Sequence, residues 1–259
     1  MGGATPEVRA RVFGRYNAVA YLAGAVGALA GGGPALLRDH LPTLPSDQRW
    51  LLVLTIAALA CVALTRRLSP AIDLRTSPGT RAPRRPPPDV VRLAALFGLD
   101  AFAGGFVVST FVVFWFGRRF GASAELMGAV LFGSGLLQAA SSIVSGRLAT
   151  RFGMLRTMVF THLPSNVLLI LIPVMPTLGL AMAMLLVRSA LSQMDTNTAR
   201  YVVRPFGAAS AGVLMQSVSI GAPFVVAGAL KSVYDVALYA RFRRVPLPEE
   251  GATRSRPTR

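Results

Sequence analysis

Charged residues are scarce in this sequence. Asp, Glu, Lys and Arg together make up 15% of its 259 residues, whereas a soluble globular domain carries about 25%. The apolar residues AVILMFWYC make up 53%, and the mean hydropathy is +0.54. Several stretches of about 20 residues carry almost no charge, which is the length that a helix needs to cross a bilayer. The shortage of charge excludes an ordinary soluble domain and predicts an all-α, polytopic transmembrane helix bundle in contact with the lipid bilayer.

Cysteine and histidine are nearly absent. Cys61 is the one cysteine in the sequence, which excludes an intrachain disulfide and a thiolate metal cluster. The two histidines are His40 and His162, and no H-E-x-x-H motif occurs, so an intramembrane zinc site is unsupported. A Walker A lysine is also missing, and residues 132–135 have Phe where a rhomboid-type protease motif begins with Gly. We therefore predict no metal, no cofactor and no enzymatic activity.

Apolar runs of membrane-spanning length alternate with short connections. A window of about 19 residues finds about seven runs, at residues 16–37, 50–65, 93–116, 122–146, 155–175, 178–203 and 206–239. The last run would form about 51 Å of helix against a bilayer core of about 30 Å, too long for one span and too short for two with a loop. We interpret it as a complete helix, residues 221–242, preceded by the stump of another. This interpretation predicts an internal deletion near residues 204–210.

Residues 66–91 form the one long connection between these runs. They are rich in Pro and Arg, and because Pro is excluded from helix interiors, this stretch is expected to be an extended, solvated linker. The linker separates residues 1–65 from residues 92–245, and residues 246–259 are expected to be a disordered tail.

Acidic residues are few, 11 against 27 basic ones, and the formal net charge is +16. Lys231 is the one lysine, so nearly all of the positive charge is arginine. Because the arginines form short clusters between apolar runs, they indicate membrane topology rather than a nucleic-acid partner. Their distribution places the linker and the C-terminus in the cytoplasm. Heavy use of arginine over lysine favours a GC-rich bacterial genome, and we expect a multi-pass protein of the bacterial plasma (inner) membrane.

One basic motif lies between two of the runs. Residues 146–153 read Gly-Arg-Leu-Ala-Thr-Arg-Phe-Gly, and Arg156 follows. This motif resembles the cytoplasmic G-x-L-a-D-R-x-G-r-r loop of the major facilitator superfamily, with Thr150 at the acidic position. Segments 160–166 and 189–195 are similar to those of a bacterial efflux-like subgroup of that superfamily. The resemblance implies a cytoplasmic gating loop formed by Gly146, Arg147, Arg151, Gly153 and Arg156.

The resemblance also implies an architecture and a function. It indicates a partial facilitator fold that covers roughly helices five to twelve and lacks most of helix eleven. Residues 1–65 would be the last two helices of the N-terminal half, and residues 92–245 the C-terminal half. The implied function is secondary active transport, the efflux of an unknown small molecule with protons as the candidate coupling ion, by a chain that is expected to be truncated. The alternative is a non-transporting integral membrane protein or an inactive pseudogene product.

Ionisable residues inside the runs are candidate transport or coupling groups, because charges in a bilayer are costly and often functional. Asp100 and Arg188 each lie well inside an apolar run. We expect them to pair, either as a proton-sensitive coupling pair or as a structural ion pair.

Further polar residues recur at helical spacing. His162 and Asn166 lie one turn apart, so they either face a cavity together or form hydrogen bonds in helix packing. Gln138 leaves the same two alternatives open. Lys231 and Asp235 are four residues apart, which predicts an ion pair within the last helix.

Overall fold

All regular structure in the described part of the chain is helical. The computed structural model describes residues 6–41, 43, 52–67, 86–191 and 200–243. Nine α-helices occur in these ranges, α1 (Pro6–His40), α2 (Leu52–Thr65), α3 (Pro88–Gly105), α4 (Ser109–Phe120), α5 (Ala124–Phe152), α6 (Met154–Leu171), α7 (Leu178–Leu191), α8 (Arg200–Ser217) and α9 (Ala222–Phe242). A 3-10 turn, Ile172–Val174, extends α6. The prediction of an all-α helix bundle is confirmed for these residues.

Within the described ranges, four stretches are long and apolar enough to cross a membrane. They are Pro88–Phe120, Ala124–Ala149, Leu155–Val174 and Ala222–Phe242. Two further apolar helices, α2 and α7, are shorter than a full span. The chain is therefore a helical membrane protein, while the count of about seven spans stays a prediction.

The linker ends earlier than expected. Residues 88–91 belong to the first turn of α3, with Pro88 at its start and Asp89 in its first turn. Proline is tolerated there because the first N–H groups of a helix have no partner within the helix, and an acidic residue in the first turn is favoured by the helix dipole. The rest of the expected linker from residue 68 to 85, and the expected tail at 246–259, lie outside the described residues.

The last apolar run is divided into two helices. α8 ends at Ser217 and α9 begins at Ala222, one residue after the predicted start of the complete helix. α8 begins at Arg200 and continues through Pro205. The region of the predicted deletion therefore lies within a continuous helix, and the deletion itself stays a prediction.

α1 and α5 pack antiparallel through small residues. The Ser142 hydroxyl donates to the Gly14 carbonyl over 3.3 Å near one end of the interface. Further along, a Cβ atom on Gly135 would lie only 2.5 Å from the Cβ of Ala25. Such close approach of backbones is the usual way in which helices associate in lipid, where apolar surface alone gives little driving force.

α9 lies between α3 and α6 and is antiparallel to both. Along α3, Asp89 contacts Arg241, and the ring of Phe97 lies 6.4 Å from that of Tyr234. Along α6, the ring of Phe160 lies 6.1 Å from that of Tyr239, and Gly228 packs against Ile170. The N-termini of α3 and α6 and the C-terminus of α9 therefore lie on the same side of the bundle.

An apolar core closes the bundle at the opposite side. It is built around aromatic rings in edge-to-face and tilted contacts, with the indole of Trp115 5.0 Å from the ring of Phe116 and 5.1 Å from that of Phe224. Leu169, Ile172 and other buried side chains complete it. By contrast, no described residue of α2 is buried, and the outer face of α1 exposes large apolar side chains. Those surfaces are suited to contact with lipid or with other helices.

Gly207 supplies a test of the close packing between α3 and α8. A Cβ atom on Gly207 would collide with the carbonyl oxygen of Phe102, whereas one on Gly212, in the same helix, would meet nothing within 4 Å. We expect Gly207→Ala to lower the free energy of unfolding by about 1–3 kcal/mol, the usual range for overpacking. Gly212→Ala should raise it slightly, by up to about 1 kcal/mol, because alanine is the better helix former and meets no neighbour there. Thermal unfolding of the purified variants in detergent measures the difference, and equal midpoints would contradict this packing.

Candidate functional site

The first buried polar contact joins α3 to α9. Lys231 Nζ donates to Asp100 Oδ1 over 2.5 Å, and the two side chains are 14% and 1% exposed. Counted from Asp89 at the start of α3, Asp100 lies about 16 Å further along the helix axis. Asp100 therefore lies about three helical turns inside the candidate membrane span Pro88–Phe120.

This geometry corrects two pairings that the sequence suggested. Asp100 contacts Lys231, and among the described residues no ion pair joins it to Arg188. The reason is that α3 packs chiefly against α8 and α9, whereas Arg188 lies on α7. The expected pair of Lys231 with Asp235 does not form either, because each of these residues faces a different neighbour of α9.

The second buried polar contact joins α6 to α9. Asn166 Nδ2 donates to Asp235 Oδ2 over 2.8 Å, and His162 Nδ1 lies 3.6 Å from Asp235 Oδ1. The side chains of His162 and Asp235 are 6% and 0% exposed. Pro164 lies between His162 and Asn166 within α6, and it removes one backbone hydrogen bond from this part of the helix. His162 and Asn166 therefore share a face, as their spacing suggested, and that face meets α9.

Two arginines lie apart from these carboxylates. Arg188 on α7 and Arg204 on α8 are half-buried, and the Nε atom of each is buried without a hydrogen-bond partner among the described residues. Gln138 is half-buried on α5, a helix that carries none of the residues paired with α9.

The motif expected as a cytoplasmic loop is mostly helical. α5 continues through Gly146, Arg147 and Arg151 to Phe152, and α6 begins at Met154. Gly153 alone makes the connection, with a φ of 86° that favours glycine. The segment from 147 to 152 contains no Gly or Pro that would end the helix earlier. Arg147, Arg151 and Arg156 are exposed on the two sides of this turn.

The partners of Lys231 and Asp235 on the neighbouring helices could not be found from spacing along the chain. Asp100 and Lys231 are separated by 131 positions, and Asn166 and Asp235 by 69. The sequence offered one indirect signal, the presence of a single lysine inside an apolar helix. Such a lysine needs an acidic partner from another helix.

Comparison with known proteins finds a similarity to a membrane protein described as uncharacterized. The chain is 30% identical over 84 residues to YJR124C, an uncharacterized membrane protein of the yeast Saccharomyces cerevisiae. The matched segment covers 32% of this chain and 19% of the yeast protein, so the chain spans only a small part of that relative. No family model matches the chain. No solved structure matches it either.

The buried Asp100–Lys231 ion pair predicts how substitutions at these two residues change the free energy of unfolding. Removing one partner leaves an uncompensated buried charge, so Asp100→Asn or Lys231→Met alone should lower the free energy of unfolding by about 3–5 kcal/mol. The double variant should lose less than either single variant, because no lone charge remains. Unfolding in detergent, measured for all four proteins, gives the coupling energy.

The exposed pair of Asp89 and Arg241 is the matched control. It joins the same two helices with a distance of 2.7 Å, but its side chains are 55% and 47% exposed. Asp89→Asn should therefore change the free energy of unfolding by about 0–1 kcal/mol.

In the cycle of single and double variants, additive losses of unfolding free energy at Asp100 and Lys231 would show that the two residues do not pair.

Proposed function

We propose that this integral membrane protein is a secondary active transporter of the major facilitator superfamily that exports a small molecule with protons as the coupling ion. The observation that carries the proposal is the presence of two acidic side chains, Asp100 and Asp235, buried within membrane-spanning helices and bonded across them. A helix that serves only as an anchor has no need of such groups. Ionisable side chains are energetically unfavourable inside the bilayer, and in membrane proteins they often line substrate or ion pathways.

The motif at the α5–α6 turn supports the assignment to that superfamily. Its residues resemble the facilitator motif, and Gly153 allows two long helices to meet at one membrane surface. Facilitators work by alternating access, in which helical groups rock about a central site. Bonds between helices, such as that of Asp100 with Lys231, can then differ between the two states.

The distribution of arginines supports a cytoplasmic location for one side of the bundle. The antiparallel register brings together the start of α3, the α5–α6 turn and the end of α9. Arginines on that side are Arg92, Arg147, Arg151, Arg156, Arg241 and Arg243. Under the positive-inside rule, this clustering supports our proposal that this side, with the linker and the C-terminus, faces the cytoplasm. The bacterial inner membrane is proposed from the preference for arginine over lysine in the sequence.

A second candidate function is that of a non-transporting assembly partner. The observation that favours it is the exposed apolar surface of α2 and of the outer face of α1. Helices of another membrane protein could cover that surface. A transporter and an assembly partner differ in one measurable respect, because only the transporter changes the amount of a compound inside the cell.

Transport can be tested with alleles of the chromosomal gene. We expect cells without the gene to accumulate more of at least one compound in a panel of toxic small molecules, because an exporter keeps its substrate out. Asp100→Asn should behave like the deletion, whereas Asp89→Asn should behave like the wild type. Intracellular accumulation of each compound, measured with and without a protonophore, is the readout.

Membrane levels of each variant are measured in the same cells. If the deletion changes the accumulation of no compound, the transporter proposal is wrong and the assembly function is favoured. An effect of the deletion that the protonophore does not reproduce would contradict coupling to protons.

A further inference from the structure

The two buried carboxylates have different partners. Asp100 is neutralised by the ammonium group of Lys231. Asp235 accepts a hydrogen bond from Asn166, which carries no charge. Its other oxygen, Oδ1, is buried and receives no hydrogen bond from the described residues. A buried carboxylate needs a cation or several donors to keep its negative charge, and apart from Asn166 the described residues donate no hydrogen bond to Asp235.

His162 is the side chain placed to complete this site. Its Nδ1 atom lies 3.6 Å from Asp235 Oδ1, and its Nε2 atom is buried without a partner among the described residues. One proton between Nδ1 and Oδ1 would join the two groups as a carboxylic acid whose O–H donates to the neutral imidazole. Because burial disfavours charged groups, this form, in which both groups are neutral, is the one assigned to the site.

The other described charged side chains near α9 do not provide a cation for the Asp235 carboxylate. Within α3, α6, α8 and α9 and at the residue that follows α9, apart from Asp235 itself and the bonded Asp100 and Lys231, the described charged side chains are Asp89, Arg92, Arg156, Arg204, Arg241 and Arg243. Except for Arg204, all of these are exposed near the arginine-rich end of the bundle. Arg204 is half-buried on α8, and among the described residues it forms no ion pair with Asp235.

We propose that Asp235 and His162 form a proton-binding site, in which Asp235 Oδ1 and His162 Nδ1 share one proton across the interface of α6 with α9. The proton comes from water, and its uptake changes the charge of the site from −1 to zero. This inference deepens the proposed function, on which its role in coupling rests. Proton binding itself requires no substrate.

The packing around the site links its proton to the contact between helices. Gly228 of α9 lies so close to α6 that an added Cβ atom would be 2.8 Å from the Asn166 carbonyl oxygen. Loss of the proton leaves a negative charge in this tight, apolar interface. Hydrating that charge requires α6 and α9 to separate, so the proton holds the two helices together.

Infrared spectroscopy of the purified chain tests the site directly. With aspartate labelled by carbon-13, a protonated carboxylic acid gives a carbonyl band that shifts with the isotope. At neutral pH we expect this band in the wild type and its loss in Asp235→Asn, which retains an oxygen for the bond with Asn166. The double variant Asp100→Asn with Lys231→Met is the matched control for a buried aspartate, and it should keep the band. Absence of the band in the wild type, or its survival in Asp235→Asn, would overturn the proposal.

His162→Leu tests whether the proton is shared. We expect the band to remain and to move to higher frequency, because the O–H group loses its imidazole acceptor. A band at the wild-type position would mean that His162 takes no part, and would overturn the shared site.

Spin labels report the link to helix separation. Phe160 and Tyr239 face each other on α6 and α9, and both can be replaced by Cys for labelling once Cys61 is changed to Ser. We expect the distance between labels to increase at alkaline pH in this background and to stay constant when Asp235→Asn is added. An equal response with Asp235→Asn would contradict the link. Because neither spectrum needs a substrate, a proton site that is found without any transport would refute the proposed function alone.

Discussion

Polar groups inside an apolar bundle must find partners within the protein, and this constraint determines how α9 is placed. In hydrocarbon no water is available to satisfy a carboxylate or an ammonium group. Lys231 therefore bonds to α3, and Asp235 bonds to α6, one turn along the same helix. These two contacts fix both the rotation of α9 about its axis and its height relative to its neighbours. The aromatic contact of Phe97 with Tyr234 follows the same register.

Glycine provides the proximity that short polar bonds require. Gly228 lets α9 approach α6 beside the bond of Asn166 with Asp235, and Gly207 lets α8 approach α3 near Phe102. Small residues at a helix interface allow dispersion contacts between backbones, which are the main attraction between helices in lipid. The polar bonds therefore set the alignment of the helices, and the glycine contacts set their separation.

The helices themselves could largely be predicted from the sequence, since apolar length and Pro position are local properties. The start of α9 near residue 221 followed from length alone, and the first turn of α3 was missed because Pro88 was treated as a helix breaker. The pairing of the buried charges could not be predicted in this way. Spacing reports which residues share a helix face, as with His162 and Asn166, but the identity of the neighbouring helix depends on packing over the whole bundle. For that reason Asp100 was assigned to Arg188 rather than to Lys231.

The connection through Gly153 has a mechanical consequence. A joint of one residue leaves α5 and α6 a single pair of backbone torsions about which to change their angle, and it keeps the adjoining ends of the two helices together. α1 packs against α5 along much of its length, so the two helices form one packed unit. A displacement of α6 that carries His162 away from Asp235 and moves the start of α6 would therefore also move the end of α5 and the part of α1 that packs against it.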